Sequence, residues 1–289
     1  MRWPSRPRLL ISYAYIKEDV SAELAGVDLL IDSGAFTAYT LGKTIDLQAY
    51  TAYLQKNAKN ITAAFALDVI GDHEASLRNY RQQKAALGKS VELIPTWHVT
   101  SPLDKLRELC QEADYVAIGG AVGYSAQQRA LMRTLVQAHK IAREYGTRLH
   151  GLGMTSNQTR RLPWYSVDSS SWIYPMKYPM LLLATKDGSI RSLKRGQKSI
   201  HVEKELVTAY GLPLNRLAIP GESTKEYCGQ EEATRRVESY SRAAARAYYY
   251  SEAVNKHKTR VYLAGENMTA RLIKQAWAAG PPRFRHAHI

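Results

Sequence analysis

The feature that most constrains the fold is an alternation of short apolar runs with longer stretches of helical spacing. The runs in the first 170 residues are Leu9–Ser12, Leu29–Asp32, Thr62–Asp68, Val91–Thr96, Tyr115–Gly119, Arg148–Leu152 and Tyr165–Asp168. Amphipathic helices are predicted between them, over Asp46–Lys56, Glu74–Leu87, Pro102–Glu112 and Ala126–Glu144. Since the runs are apolar on both faces, they predict a parallel sheet buried between helices, which is the α/β class.

Two architectures have this alternation, a doubly wound sheet and a (β/α)₈ TIM-like barrel. No GxGxxG fingerprint follows the first run, and polar residues end many of the runs instead of meeting at one switch point. Both observations favour the barrel, with 1–289 as a single domain. Thr259–Ala264 is the expected eighth strand.

The pattern changes after Asp168. Met180–Thr185 and Ser189–Leu193 are joined by an Asp-Gly turn, which predicts a β-hairpin inserted over 175–200 and competing for the place of the eighth strand. Residues 225–258 are predicted to be a basic helical region. Its arginines are spaced so that successive pairs can share a helix face: Arg235, Arg236, Arg242 and Arg246.

Charge and cysteine content narrow the partners and the compartment. The net charge is +14, divided into +3 over residues 1–150 and +11 over 151–289, which predicts a polyanionic partner. Two cysteines, Cys110 and Cys228, form neither a disulfide framework nor a four-ligand zinc site. The sequence shows neither the apolar segment of a signal peptide nor a run long enough to span a membrane. We therefore expect a cytoplasmic protein that does not contact membranes.

Three of the apolar runs end in a carboxylate, where a barrel places its reactive groups. These residues are Asp32 in IDSGAF, Asp68 in FALDVIGD and Asp168 in SVDSSSW. Either Asp32 or Asp168 alone is explained at least as well by helix capping. Three carboxylates at strand ends together favour a catalytic centre, since an unpaired buried carboxylate is costly.

Two glycines and a histidine lie at other predicted strand ends. Gly119 and Gly120 let a flat ligand approach the backbone, although a tight turn explains them equally well. His98 can hydrogen-bond a heterocycle, but a lone histidine is more often structural. No second His or Cys stands near it in sequence, so no metal is expected there, and no cofactor is expected because glycosyl transfer by two carboxylates needs none. Two carboxylates can carry out glycosyl transfer at a sugar carbon, and the basic half can hold a nucleic acid.

Five segments, read in order, resemble the motifs of the guanine transglycosylase superfamily. They are DSGAF at 32–36, LD at 67–68, IGGAVG at 118–123, HGLG at 150–153 and VDSSSW at 167–172, within a similarity that covers about residues 27–195. Members are (β/α)₈ barrels that replace guanine in a polynucleotide with a 7-deazaguanine through a covalent aspartyl–C1′ bond. The tRNA enzymes have DSGG, an aromatic residue and Gln in the first motif, where this chain has Ala35, Phe36 and Thr37.

The resemblance implies a role for each matching position. Asp168 corresponds to the nucleophile, Asp32 to the general acid/base, and Asp68 to the carboxylate that binds the guanine N1–H and 2-amino group. The base pocket is then expected to include Gly119, Gly120, His98, Gly151, Ser33 and Phe36.

Departures from the family pattern point to DNA as the substrate. The tRNA enzymes carry a C-terminal CxCxxC…H zinc site, whereas this half of the chain holds Cys228 as its single cysteine. The chain is also short, like the phage DNA 7-deazaguanine transglycosylases (DpdA-like), which modify phage DNA against host restriction. The basic helical region then stands in place of the zinc subdomain. A homodimer stays open, because many members dimerise.

The expected partners are double-stranded DNA and a 7-deazaguanine base such as preQ0. Contacts to DNA phosphates are expected from Arg160, Arg161, Lys186, Arg191, Lys194, Arg195 and Lys198. A solvated basic surface is the alternative explanation for these residues. The alternative functions are a tRNA-guanine transglycosylase, a non-catalytic nucleic-acid-binding barrel and, with less support, a glycoside hydrolase.

Overall fold

A computed structural model of the protein describes residues 1–16, 24–121, 128–178, 180–194, 203–212, 224–266 and 269–284, without the side chains of 194 and 224–233. The strands are β1 Arg8–Ser12, β2 Asp28–Asp32, β3 Ala63–Phe65, β4 Glu92–Ile94, β5 Thr96–His98, β6 Tyr115–Gly119, β7 Arg148–Gly151, β8 Ser166–Ser169, β9 Met180–Ala184, β10 Ile190–Lys194 and β11 Arg260–Gly265.

Nine of these strands form one parallel sheet in the order β4-β3-β2-β1-β11-β8-β7-β6-β5. The register pairs Leu9 of β1 with Leu29 of β2 on one side and with Leu263 of β11 on the other. The strand predicted over Thr259–Ala264 is therefore confirmed, and it joins β1 to β8. The parallel α/β architecture agrees with a TIM-like barrel.

Pro95 lies where the sheet nearly closes on itself. The edge strands β4 and β5 are consecutive in sequence, and Pro95 alone separates them. Proline has no N–H to donate to a strand ladder, so the single predicted run Val91–Thr96 is divided here. The Pro95 carbonyl accepts the Ala117 N–H of β6 at 2.8 Å, so the junction between the two edge strands is attached to β6.

Helices follow the strands where the sequence predicts them. Asp46 and Asp72 cap two of the helices by accepting the N–H of Ala49 and Ala75 at 2.6 and 2.9 Å. The α-helices are Ala35–Thr40, Leu47–Asn57, His73–Leu87, Leu103–Glu112, Gln128–Tyr145, Tyr174–Lys177, Lys204–Ala209, Thr224–Val254 and Ala270–Ala278. No helix in the parts of the chain that the structure describes is long and apolar enough to cross a membrane.

The chain divides into two compact units. The first, here called the barrel unit, comprises Arg8–Ser169 and Thr259–Ala270 and contains the nine-stranded sheet. The second unit comprises Met1–Pro7, Ser170–Lys258 and Arg271–Ile289. In the second unit, β9 and β10 pair antiparallel, with Ile190 opposite Ala184. Its apolar core packs the hairpin strands against Leu206, Val207, Tyr240 and Ala247.

The barrel interior is filled by alternating strand residues. A buried cluster joins Leu10, Leu30, Ala63, Phe65, Ile94, Tyr115, Ala117 and Tyr262. At the first residues of two adjacent strands, Arg8 Nε donates to Asp28 Oδ2 at 3.2 Å, and the Tyr262 hydroxyl donates to Asp28 Oδ1 at 2.9 Å. Polar groups at this amino-terminal end are thus paired with one another, whereas the carboxyl-terminal end carries the carboxylates described next.

Candidate active site

The three predicted carboxylates meet at the carboxyl-terminal ends of the barrel strands. Asp32 is the last residue of β2, Asp68 lies just beyond β3, and Asp168 lies in β8. The negative charges of Asp68 and Asp168 both act on Asp32 and raise its pKa. The structure therefore brings together three residues that are up to 136 positions apart in the sequence.

Among the three carboxyl groups, Asp32 has the most clearly shifted pKa. Burial, followed by repulsion from Asp68 and then from Asp168, raises its pKa from 3.8 to about 6. The Ser12 side chain and the Gly34 N–H, which lies 3.1 Å from Asp32 Oδ2, act in the opposite direction. A carboxyl group with this pKa can both give and take a proton near neutral pH.

Asp168 is held by two donors that converge on one oxygen. The Gly153 N–H donates to Asp168 Oδ1 at 2.8 Å, and the His150 Nε2 lies 3.2 Å from the same oxygen. Asp168 is 9% exposed and His150 is fully buried. The carboxyl group is thereby fixed in orientation through Oδ1, while no hydrogen bond to Oδ2 occurs among the residues that the structure describes.

His150 belongs to a buried chain of hydrogen bonds that ends on Asp168. Its Nδ1 lies 2.6 Å from the Ser166 hydroxyl, which also contacts the Tyr115 hydroxyl. Burial raises the pKa of Tyr115, so the phenol keeps its proton as a donor. If Tyr115 donates to Ser166 and Ser166 donates to Nδ1, His150 donates from Nε2 to Asp168.

Asp68 is paired with His98. The His98 Nε2 lies 2.9 Å from Asp68 Oδ2, and the Ser33 hydroxyl donates to Asp68 Oδ1 at 3.4 Å. His98 and Ser33, which are both expected in the base pocket, are thus direct partners of Asp68. The contacts give His98 a specific role, because it orients the Asp68 carboxylate.

The glycines at the end of β6 lie beside the His98 ring. A Cβ at Gly119 would lie 3.4 Å from His98 Nδ1, and one at Gly120 would lie 3.5 Å from the same atom. Gly120 also has a φ of +79°, which other residues rarely adopt. The two glycines therefore border the Asp68–His98 pair.

Comparison with known protein families and with curated proteins finds no match to this sequence.

Neither Asp32 nor Asp168 is the N-cap of a helix, although Asp32 Oδ2 accepts the Gly34 N–H in the turn that precedes one. The helix Ala35–Thr40 has Gly34 as its N-cap, without a side-chain cap. Asp168 contacts the Gly153 loop instead of a helix terminus, and the next short helix, Ser171–Ile173, has Ser170 as an N-cap with no side-chain bond. Asp32 and Asp168 thus keep carboxyl oxygens that helix capping does not use.

Two expected base-pocket residues have other surroundings. Phe36 is 65% exposed at the start of the helix Ala35–Thr40. Gly151 is buried, and a Cβ there would lie 2.9 Å from Met154 Cβ and 3.2 Å from the Trp164 ring. Close packing therefore explains the glycine at 151.

The expected phosphate-binding residues are scattered over both units. Arg160 and Arg161 lie in the 3₁₀ helix Thr159–Arg161 of the barrel unit, and Lys186 and Arg191 lie in the second unit. Arg191 donates to Glu203 at 2.7 Å, so part of its charge is neutralised. The side chain of Lys194, together with Arg195 and Lys198, lies outside the described residues.

One cluster of potential metal ligands lies elsewhere in the barrel unit. His73, Glu74 and Glu108 bring their ligand atoms within 4.8 Å of one another. The Lys105 ammonium group forms ion pairs with both Glu74 and Glu108. Because a lysine already supplies the positive charge, this cluster is explained as a surface ion-pair network.

Sequence reasoning missed His150 as a site residue. It stands inside a predicted strand, where a single histidine resembles a core residue, and its partners Ser166 and Asp168 follow it by 16 and 18 positions. The HGLG motif contained a usable signal, because it places His150 in a strand next to the one that contains Asp168. These strands, β7 and β8, are parallel and pair His150 with Ser166.

Proposed function

We propose that the protein is a DNA-guanine transglycosylase that exchanges guanine in DNA for a 7-deazaguanine such as preQ0. One observation carries the proposal: two carboxyl groups in different surroundings lie in the same site. Asp32 has a pKa of about 6, and Asp168 is fixed in orientation by His150 and Gly153. One group is suited to move a proton and the other to attack a sugar carbon.

In the proposed reaction, an oxygen of Asp168 attacks C1′ of the target nucleotide. The bond from C1′ to guanine N9 breaks, and protonated Asp32 gives its proton to the departing base. The incoming 7-deazaguanine then loses its N9 proton to Asp32, forms a bond to C1′ and releases the Asp168 carboxylate. The sequence of steps needs no cofactor, and Asp32 returns to its starting protonation state.

Asp68 is proposed to bind the base. Its two carboxyl oxygens are suited to accept the N1–H and 2-amino hydrogens of a guanine-like ring. His98 and Ser33 lie within hydrogen-bonding distance of these oxygens and hold the carboxylate in place. Gly119 and Gly120 border this pair. Because they have no side chain, a flat ring could approach their backbone.

The architecture supports this proposal. If β4 and β5 are counted as one strand interrupted at Pro95, eight parallel strands surround the interior, and we interpret them as a (β/α)₈ barrel with the β9–β10 hairpin as an insertion. Active sites of such barrels lie at the carboxyl-terminal ends of the strands, where Asp32, Asp68 and Asp168 lie. A cytoplasmic location, in the host cell if the gene is phage-encoded, fits DNA as the substrate.

The test is mass spectrometry of nucleosides from nucleic acid incubated with the protein and candidate bases. The proposal predicts that 7-deazaguanine nucleosides form in duplex DNA and not in tRNA. Incorporation into tRNA alone would support the tRNA enzyme instead. Binding of DNA without any exchange would support a non-catalytic barrel.

A further inference from the structure

A cavity of about 580 Å³ lies within the second unit, apart from the residues of the candidate active site. This volume is in the range of sites that hold small molecules. Four arginines and one carboxylate line the cavity: Arg235, Arg242, Arg246, Arg271 and Glu238. The charged lining is therefore strongly positive.

Helical spacing brings most of these side chains to one wall. Arg235, Glu238, Arg242 and Arg246 follow one another at intervals of three or four residues in the helix Thr224–Val254, so they share a face. Arg271 comes from the helix Ala270–Ala278 and completes the lining.

Glu238 holds two of the arginines in place. Its Oε1 accepts from Arg271 Nη2 at 2.8 Å, and its Oε2 lies 3.5 Å from Arg242 Nη1. Arg242 Nη1 also lies 3.5 Å from Gln275 Oε1. A guanidinium group has five N–H donors, and these contacts use one nitrogen of each arginine. One carboxylate thus orients two guanidinium groups without neutralising both.

Arg246 also lines the cavity, but its hydrogen-bond partners are backbone carbonyl groups. Its Nε, Nη2 and Nη1 donate to the carbonyls of Gly280, Pro281 and Tyr210 at 2.5, 2.6 and 3.4 Å. Carbonyl groups satisfy its donors but do not cancel its charge. Burial lowers the pKa of Arg246, and the charge of Arg283 adds to this effect. An anion in the cavity would offset the remaining repulsion.

We propose that this cavity binds the phosphate group of a small phosphorylated molecule. Arginine forks match the paired oxygens of a phosphate group, and Arg242 and Arg271 are already oriented by Glu238. The volume exceeds what a lone phosphate ion needs and leaves room for a sugar. This inference does not depend on the proposed base exchange, since the lining residues belong to the second unit.

Titration calorimetry with inorganic phosphate, ribose 5-phosphate and ribose tests the inference. We expect the two phosphates to bind, ribose 5-phosphate more tightly, and ribose not to bind. Arg242→Gln and Arg271→Gln should each weaken phosphate binding about tenfold. Lys256→Gln, which removes one exposed positive charge of the second unit outside the cavity lining, should change it less than twofold.

Folding does not confound the test, because the Arg271 side chain is 59% exposed, and melting curves of Arg271→Gln verify the fold. Phosphate should raise the melting temperature of the wild type more than that of this variant. If the wild type binds neither phosphate, or both arginine variants keep wild-type affinity, the inference is wrong. If Arg271→Gln weakens binding of duplex DNA alone, the cavity contacts backbone phosphates and a small-molecule occupant is excluded.

Discussion

His150 Nε2 lies 3.2 Å from Asp168 Oδ1, and its Nδ1 lies 2.6 Å from the Ser166 hydroxyl. A buried histidine thus joins the candidate nucleophile to a hydrogen-bonded chain that includes Tyr115. In the proposed reaction, we expect a positional effect of His150, because it sets the direction of the carboxyl group that would attack C1′ in line with the departing base.

Replacing His150 should slow the chemical step more than it weakens substrate binding. His150→Phe removes the donor to Asp168 and leaves Ser166 without an acceptor, and a misplaced nucleophile costs about 10²-fold in rate. His150→Gln keeps an N–H group and should recover part of this loss. Single-turnover rates of base exchange, set against DNA affinity, check the prediction. Equal losses in affinity and rate for both variants would indicate a merely structural histidine.

The departure of guanine should depend on protonated Asp32. Since the pKa of Asp32 is about 6, its acid form predominates below pH 6 and falls about tenfold for each pH unit above it. Without an incoming base, the rate of forming the protein–DNA adduct should decline above pH 6. Asp32→Asn should lower this rate by about 10²–10⁴-fold and remove the decline. An unchanged pH profile in the variant would contradict the assignment of Asp32.

The raised pKa of Asp32 should also make the free energy of unfolding depend on pH. The folded state binds a proton at Asp32 more tightly than the unfolded state, whose pKa is near 3.8, so stability is lost as the pH rises from about 4 to about 7. Asp32→Asn should therefore raise the free energy of unfolding at pH 7 by at most about 3 kcal/mol and leave it unchanged at pH 4.

Asp187→Asn is the matched control for the stability measurement. Hydrogen bonds from Thr185 and Ser189 lower the pKa of Asp187 to about 2, which is the opposite direction. Its effect on unfolding should be a loss of stability that is constant between pH 5 and pH 8. Denaturant titrations at several pH values compare the two variants. A flat difference for Asp32→Asn would show that the Asp32 pKa is not raised in the folded protein.

Asp68→Ala should separate base binding from DNA binding. The substitution removes both acceptor oxygens and the partner of His98, so the affinity for a free 7-deazaguanine should fall about 10-fold to 100-fold. The affinity for duplex DNA, which depends on phosphate contacts, should change less than twofold. Calorimetry with the base and a filter-binding assay with DNA measure the two quantities. A large loss of DNA affinity would argue against a base-pocket role.

The sequence predicted the strands and their carboxylates because both leave local signals. Apolar runs marked the strands, and Asp32, Asp68 and Asp168 stood at their ends. The interruption at Pro95 was not foreseen, although proline cannot donate within a strand.

Contacts between distant segments were harder to foresee. The role of His150 depends on the pairing of β7 with β8, and the cavity between the arginines needs Arg271 from another helix. Spacing within the helix Thr224–Val254 predicted that successive pairs of its arginines can share a face, but not which group lies opposite them.

Detection of the protein–DNA adduct is the most direct test of covalent catalysis by Asp168. Wild-type protein and Asp168→Asn are incubated with duplex DNA without an incoming base, denatured and separated, and the adduct is mapped by peptide mass spectrometry. Covalent catalysis by Asp168 predicts a denaturant-resistant adduct at this residue in the wild type, with neither adduct nor exchange in the variant, because an amide cannot form the ester. Guanine exchange at the wild-type rate in Asp168→Asn would contradict it.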